Sequence, residues 1–223
     1  ILVVICSPEL SAQSNARFEH IGKDDGLSHI SVSSIVQDQR GFLWFGTQSG
    51  LNRYDGYEFK TFKEEPFNHN SMSHDLVQTL YMDKGHTLWV GTYNGLNKFN
   101  TLTYDVTRYL HDPEDSETLS GDVIVSIMRD SQGDLWIGTL DGLNKFNEET
   151  ETFTRYKADE EDPMSLPDNT IRDLFEDKAG RLWIATYDGL AMYRPNSDGF
   201  VTYRIDPERN GGKSSDYIMD IAS

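Results

Sequence analysis

Polar side chains recur at one position of a repeated sequence, where they would lie side by side if the repeats form a ring. The occupants of that position are Asp75, Asp122, Asn169 and Asp216. His74 and Asp168 directly precede two of them. Carboxylate and amide oxygens on such a rim could accept hydrogen bonds from sugar hydroxyls or bind a cation. The same residue types also cap turns by accepting hydrogen bonds from backbone N–H groups, and the sequence leaves both interpretations open.

A second polar position varies from copy to copy of the repeat. Its occupants are Ser34, Thr79, Ser126 and Asp173. A scaffold does not require such variety, whereas a ligand with different sides would use it. The candidate ligand-binding residues are therefore His74, Asp75, Asp122, Asp168, Asn169 and Asp173.

These positions belong to a unit centred on Leu-Trp-x-Gly/Ala-Thr, whose tryptophans step by 45, 47 and 47 residues. The structural residues of the unit are one tryptophan and an aspartate six positions before it: Asp38 and Trp44, Asp83 and Trp89, Asp130 and Trp136, Asp177 and Trp183. We expect the aspartate to accept hydrogen bonds in a tight turn and the tryptophan to fill the wedge between neighbouring units. Metal ligation by the aspartates and sugar stacking on the tryptophans are the alternatives.

Each unit contains four runs of four to seven residues that are rich in β-branched and aromatic types and bounded by Gly, Asp, Asn or Pro. That composition is typical of strands and turns, and its period indicates a β-propeller blade. We predict an all-β fold, a β-propeller of four-stranded antiparallel blades, here an incomplete arc of four blades plus the first strand of a fifth. The blades are placed at about residues 31–62, 75–109, 122–156 and 169–204.

The two ends of the array carry further signals. Residues 17–21 resemble an outer strand that would close the ring, and residues 216–223 match the first strand of a next blade. Residues 1–16, an apolar run followed by small residues, are interpreted as a residual signal peptide; a short apolar strand packed on the propeller is the alternative. The propeller segment therefore covers residues 17–223.

No pattern is typical of a catalytic or metal centre. The six histidines lack metal-ligand spacing, and the chain has no Gly-x-Ser-x-Gly elbow or phosphate-binding loop. We expect no catalytic residue, no metal and no cofactor in this segment. A carboxylate pair across the channel, as in a propeller glycosidase, stays open.

The chain is strongly acidic, with a formal net charge of -17 from 20 basic and 37 acidic residues. Such a charge repels phosphate backbones, so we expect no nucleic acid partner. The acidic runs at residues 64–65, 112–117 and 159–162 are interpreted as solvated loops, with a cation site as the alternative. No run of about 20 apolar residues, the length that spans a membrane, is present.

The pattern Asp-x-x-Gly-x-Leu-Trp-Ile-Gly-Thr-x-x-Gly-Leu-Asn at residues 130–144 resembles the two-component regulator propeller repeat. So do residues 25–28, 33–35 and 41–47, and the loop at residues 159–169 resembles the connection between blades in that family. The resemblance covers about residues 17–223. The second unit departs from the pattern at Gly85 and His86, and the fourth at Ala185 and Ala191.

The resemblance implies a sensor propeller in the periplasmic or extracytoplasmic part of a bacterial inner-membrane receptor, usually seven-bladed. A β-sandwich domain, a transmembrane helix and a histidine kinase or diguanylate cyclase output domain usually follow. The segment itself would do no chemistry. Its expected partners are an extracytoplasmic small molecule or oligosaccharide, the remaining blades and downstream domains of the same receptor, and a second copy of the full-length receptor as a homodimer.

Two other functions stay open on sequence alone. One is a secreted propeller glycosidase or lyase, and the other is a protein-interaction scaffold with no small-molecule ligand. The sensor function predicts an output domain downstream of residue 223, whereas the other two functions do not.

Overall fold

The computed structural model describes residues 2–3, 19–204 and 218. Near the N-terminus, β1 (Leu2–Val3) pairs antiparallel with β2 (Glu19–His20), and one 3₁₀ turn spans Lys23–Asp25. Within the described residues β2 has β1, and no blade strand, as its partner. The rest of the predicted signal peptide (1–16) and closing strand (17–21) lies outside the described residues, apart from Ile21, which follows β2.

The remaining strands form four sheets of four consecutive antiparallel strands each. Each sheet is one blade, and its first strand in the chain is called the inner strand. The strands are, by blade, β3 (Val32–Gln37), β4 (Leu43–Thr47), β5 (Gly50–Tyr54) and β6 (Phe59–Phe62); β7 (Val77–Met82), β8 (Thr87–Thr92), β9 (Gly95–Asn100) and β10 (Val106–Tyr109); β11 (Ile124–Arg129), β12 (Leu135–Thr139), β13 (Gly142–Asn147) and β14 (Thr152–Tyr156); β15 (Ile171–Glu176), β16 (Leu182–Thr186), β17 (Gly189–Arg194) and β18 (Gly199–Tyr203).

The prediction of an all-β propeller made of four-stranded antiparallel blades is confirmed by these sheets. Most of the predicted first strand of a fifth blade, residues 216–223, lies outside the described part of the chain. Ile218 is described, and its backbone N–H donates to the carbonyl of Thr186 at 3.4 Å. In the part of the chain that the structure describes, no helix is long and apolar enough to cross a membrane.

Each inner strand begins with a β-bulge. The pairing with the second strand shifts between Val77 and Thr79 in blade 2 and between Ile124 and Ser126 in blade 3, and the same shift occurs in blades 1 and 4. A bulge twists a strand locally and re-aims its side chains. The variable position occupied by Thr79 and Ser126 therefore lies directly after the twist.

The hydrophobic core lies between blades, not within them. One cluster joins Trp89 and Leu96 of blade 2 to Ile124 and Ile137 of blade 3, and equivalent clusters join blade 1 to blade 2 and blade 3 to blade 4. In blades 1 to 3 the tryptophan meets the third-strand aromatic of the next blade, as when the rings of Trp89 and Phe146 lie 5.3 Å apart at 73°. A blade therefore buries its apolar faces only against its neighbours.

Close approach of neighbouring blades explains the glycine after the tryptophan. A Cβ added at Gly138 would lie 2.6 Å from Ile171 Cγ2, the first inner-strand residue of the next blade. Gly91 has the same relation to Ile124, at 2.7 Å. In blade 4 the position is Ala185, so the residue packed against it has to accommodate one methyl group.

The two ends of the described array are less covered than its middle. Ile35 of blade 1 is 44% exposed, whereas the equivalent Leu80, Ile127 and Leu174 are 6–7% exposed. No described blade precedes blade 1 to cover Ile35. At the other end Trp183 is half-buried, whereas the other three tryptophans are fully buried.

Candidate functional site

The predicted ligand residues of the repeat lie on one rim of the arc. The rim consists of the residues just before each inner strand (29–31, 74–76, 121–123 and 168–170) and the turns between second and third strands (48–49, 93–94, 140–141 and 187–188). Backbone hydrogen bonds join the two sets across blades. The N–H of Gly95 donates to the carbonyl of Asp122 at 2.7 Å, and Gly142 donates to Asn169 at 2.7 Å.

Two of the predicted residues fasten the loop that leads into their blade. Asp75 Oδ1 accepts the N–H of Glu64 at 2.8 Å, and Asn169 Oδ1 accepts the N–H of Ala158 at 2.8 Å. Two others cap the local turn, since Asp168 Oδ1 and His74 Nδ1 each accept the N–H two residues ahead, at 2.7 and 3.0 Å. The capping interpretation therefore has a specific contact for each of these four side chains, and their role in binding stays a prediction.

Asp122 differs from its equivalents. Its side chain is exposed, and none of the described residues donates a hydrogen bond to its carboxylate. Asp75 and Asn169 bind the N–H of Glu64 and Ala158, and the equivalent residue before blade 3 is His111. The ring Nδ1 of His111 instead bonds the carbonyl of Leu119 at 2.6 Å. An exposed carboxylate at the rim, with no described hydrogen-bond donor, is available to a polar ligand.

Asp173 lies on the inner strand β15, below the rim. The hydroxyl of Ser126 on the neighbouring inner strand donates to Asp173 Oδ1 at 3.3 Å. In blade 1 the equivalent Ser34 Oγ accepts the N–H of Leu80 at 3.2 Å. Side chains at the variable position thus bridge adjacent inner strands. The position lies near the start of each inner strand, just after the rim residues.

Exposed apolar side chains share the rim with Asp122, and sequence reasoning missed them. Tyr93, Leu140 and Tyr187 are 43%, 41% and 58% exposed, at the first turn position after the motif threonine. Each donates its N–H to a carbonyl just before the inner strand of its own blade; for Tyr187 the partner is Thr170, at 3.0 Å. The signal was present in the sequence, because Gln48, Tyr93, Leu140 and Tyr187 vary directly after an invariant threonine. Aromatic faces beside carboxylates are a typical surface for sugar rings.

The conserved aspartates of the unit lie at the opposite end of the blades, away from the rim. In every blade the tryptophan Nε1–H donates to the aspartate six residues earlier, over 2.8–3.1 Å. The other aspartate oxygen accepts backbone N–H groups of the turn, as Asp130 Oδ1 does from Gln132 and Asp134. The turn role was expected from the sequence, whereas the Asp–Trp hydrogen bond was not.

The electrostatics of these aspartates fit a structural role. Burial acts to raise the pKa of Asp83, but hydrogen bonds from Arg129 and Trp89 outweigh it and hold the pKa below its ordinary 3.8. Arg129 of blade 3 reaches Asp83 of blade 2 at 2.5 Å, so this ion pair joins two blades. No group of three or more metal-binding side chains occurs among the described residues.

Three segments of this chain match a known protein family. Residues 26–49, 118–141 and 165–188 match the family described as two component regulator propeller. Each matched segment includes the rim residues before one inner strand and the turn after its threonine.

Relatives are similar over part of their length. Histidine kinase P4 from Formosa agariphila is 42% identical over 73 residues, which are 32% of this chain and 5% of that protein. The extracellular domain of BT3049, a proposed hybrid two component system of B. thetaiotaomicron, is 28% identical with a TM-score of 0.61, over 84% of this chain and 32% of its own. Virginiamycin B lyase from Staphylococcus aureus shares the fold alone, at 12% identity and a TM-score of 0.55 over 78% of this chain and 55% of its own.

Proposed function

We propose that the segment is the extracytoplasmic ligand-sensing part of a bacterial membrane receptor, because segments in three of its four blades match the two-component regulator propeller family. The observation that carries the proposal is the pair of likenesses to a histidine kinase and to the extracellular domain of a hybrid two component system. The interpretation of residues 1–16 as the remainder of a signal peptide agrees with export. The likeness to Histidine kinase P4 favours a kinase over a diguanylate cyclase as the output domain.

The rim is the proposed ligand site. Asp122 offers exposed acceptor oxygens, and Tyr93 and Tyr187 offer partly exposed ring faces at the same end of the blades. Carboxylates that accept hydroxyl protons next to aromatic faces suit a carbohydrate or a similar polar molecule. Loops and turns on a rigid scaffold are also where binding residues vary without disturbing the fold.

The propeller is proposed to bind its ligand without chemistry. The likeness to a lyase is at the level of fold, and one fold hosts many unrelated functions. The rim carboxylates with described contacts are used to cap turns, which leaves them poorly placed to exchange protons with a substrate.

The test is calorimetric titration of the full natural protein against a panel of oligosaccharides, at two salt concentrations. Asp122→Ala should weaken binding about tenfold, because one charge-assisted hydrogen bond is lost. The melting temperature should stay the same, since no described residue is bonded to that carboxylate. Glu149→Ala, an exposed acid at the opposite end of blade 3, is the matched control and should leave affinity unchanged.

Asp168→Ala separates the two interpretations of the capping residues. Loss of affinity at unchanged stability would assign Asp168 to the ligand, whereas loss of stability at unchanged affinity would assign it to the turn alone. Failure of every ligand to bind would contradict the sensor proposal. Turnover of a bound glycan would contradict the statement that the segment does no chemistry.

A further inference from the structure

Three loops between blades share one conformation. They are loop 1 (residues 65–71), loop 2 (residues 112–118) and loop 3 (residues 159–165). In each loop the N–H of the first residue donates to the side-chain hydroxyl of the last residue at 2.9 Å. Asp112 donates to Thr118 Oγ1 and Asp159 donates to Ser165 Oγ in this way. The N–H of the fourth loop residue donates to the carbonyl of the first loop residue at 3.1–3.3 Å. The turn therefore gathers several backbone carbonyls and one hydroxyl on the same side.

In loop 2 these oxygens hold a guanidinium group. Arg155 on β14 donates its Nε–H to the Thr118 carbonyl at 2.7 Å. One terminal nitrogen of the same side chain donates to the Asp112 carbonyl at 3.0 Å, the Asp115 carbonyl at 2.6 Å and Thr118 Oγ1 at 2.6 Å. The oxygens thus form a cage that matches the planar fork of N–H donors of arginine.

Loop 1 holds a second guanidinium in the same way. Arg108 on β10 donates Nε–H to the Ser71 carbonyl at 2.7 Å, and its terminal nitrogen donates to the Asn68 carbonyl at 2.7 Å and Ser71 Oγ at 2.6 Å. Arg108 and Arg155 occupy the same position of the repeat, 47 residues apart. Binding a guanidinium is therefore a property of the loop conformation and is not peculiar to one blade.

Loop 3 keeps the cage but not the arginine. Its attachment to the outer strand is unchanged, because Phe200 donates its N–H to the Met164 carbonyl at 2.7 Å just as Phe153 donates to Glu117 at 2.7 Å. The position equivalent to Arg155 is Thr202, whose side chain is too short to reach the cage. Arg204, which lies nearby, is paired with Asp188 at 3.0 Å.

A cavity of about 640 Å³ lies where that arginine would run. Its lining includes Asp159, Asp162 and Ser165 of loop 3, together with Asp168, Thr202 and Arg204. Loop 3 also carries four consecutive acids between positions 159 and 162, which favour a positive ligand. The equivalent oxygens of loop 2 hold the planar guanidinium of Arg155, so the cage suits the same group in a ligand.

We propose that loop 3 binds the guanidinium group of a ligand, in the place that Arg108 and Arg155 fill in the two preceding blades. The ligand is a small guanidino compound or an arginine side chain of a peptide, since both present the same planar donor group. The site adjoins the rim and shares Asp168 with it, but it does not rest on the proposed sensing of a carbohydrate, and either proposal could fail without the other.

The first experiment uses ethylguanidinium, which reproduces the end of an arginine side chain, at low millimolar concentration with the full natural protein. It should raise the melting temperature and give a saturable heat of binding, whereas ethylammonium at the same ionic strength should do neither. Free arginine and an arginine-containing peptide form two further arms that separate the sources of the group. An equal response to ethylammonium would reduce the effect to charge and overturn the proposal.

Two reciprocal variants test the location. Thr202→Arg should fill the cage from within, which raises the melting temperature and abolishes binding of ethylguanidinium. Arg155→Thr should open a second cage in loop 2, lowering the melting temperature, and ethylguanidinium should restore part of the loss. Should Thr202→Arg fail to fold, Thr202→Lys serves as the second blocking variant, because its long side chain would fill the cavity without reproducing the hydrogen bonds of a guanidinium.

Two results would contradict the proposal. The first is unchanged ethylguanidinium binding in Thr202→Arg and Thr202→Lys. The second is binding of Ca²⁺ in preference to ethylguanidinium that Thr202→Arg removes, which would make loop 3 a metal site.

Discussion

Asn144 and Ser120 are joined by two hydrogen bonds inside blade 3. The Ser120 N–H donates to Asn144 Oδ1 at 2.8 Å, and Asn144 Nδ2 donates to Ser120 Oγ at 2.9 Å. Both residues are fully buried. The pair fastens the end of the inter-blade loop to the third strand, and blades 1 and 2 repeat it with Asn52 and Asn97. In blade 4 both partners are absent together, because Ala191 replaces the asparagine and Pro167 the serine.

Asn144→Ala should therefore destabilise the protein by about 1–3 kcal/mol, because it leaves the buried N–H of Ser120 without its acceptor. Ser120→Pro combined with Asn144→Ala reproduces blade 4 and should cost less than the sum of the two single changes. Urea unfolding of the full protein measures all three. Additive costs would show that the two residues act independently.

Trp136→Ala should destabilise by about 3–5 kcal/mol, since it removes a fully buried aromatic from the wedge between blades 3 and 4. Trp136→Phe keeps most of the packing and removes the hydrogen bond to Asp130, so it should cost about 1 kcal/mol. In urea unfolding of residues 17–223 alone, Trp183→Ala should cost less than Trp136→Ala, because Trp183 is half-buried at the end of the described array.

Acid should weaken the contact between blades 2 and 3. Since the folded-state pKa of Asp83 is held below 3.8, its contribution to stability is present above the unfolded-state pKa and is lost as the pH falls through the folded-state pKa. The unfolding midpoint in urea should thus fall as the pH drops below about 4. Asp83→Asn should be less stable at pH 7 and show a shallower acid decline. An identical acid decline in the variant would remove Asp83 as a cause.

Residues 17–223 expressed alone should aggregate or melt well below the full protein. The exposed Ile35 at one end and the half-buried Trp183 at the other are surfaces that a neighbouring blade covers elsewhere in the array. Light scattering and thermal unfolding of the segment provide the test. A monomeric segment with the melting temperature of the full protein would contradict it.

The fold was predictable because its signals are local and repeated. Each Leu-Trp strand is bounded by an Asp turn and a Gly-Leu start, so four copies of one pattern define four sheets. The Asp–Trp hydrogen bond could have been predicted from the constant spacing of six residues between the aspartate and the tryptophan. The cage around Arg155 was not, because its acceptors are backbone carbonyls, which leave no mark on the residue types. At the rim, carboxylates that cap turns and carboxylates that bind ligands are the same residue types, so position alone could not separate Asp122 from Asp75.

Each hydrophobic cluster is shared by two neighbouring blades, so removing a blade replaces two interfaces by one new interface. Deleting one whole period, from Val123 to Asn169, would bring Trp89 against Tyr193 instead of Phe146. The new wedge would again join a tryptophan to an aromatic ring, as Trp136 and Tyr193 already do at 4.8 Å. An array built in this way keeps the apolar wedge at each remaining junction when it lengthens or shortens by one period, whereas the ion pair of Arg129 with Asp83 belongs to one junction alone and would be lost.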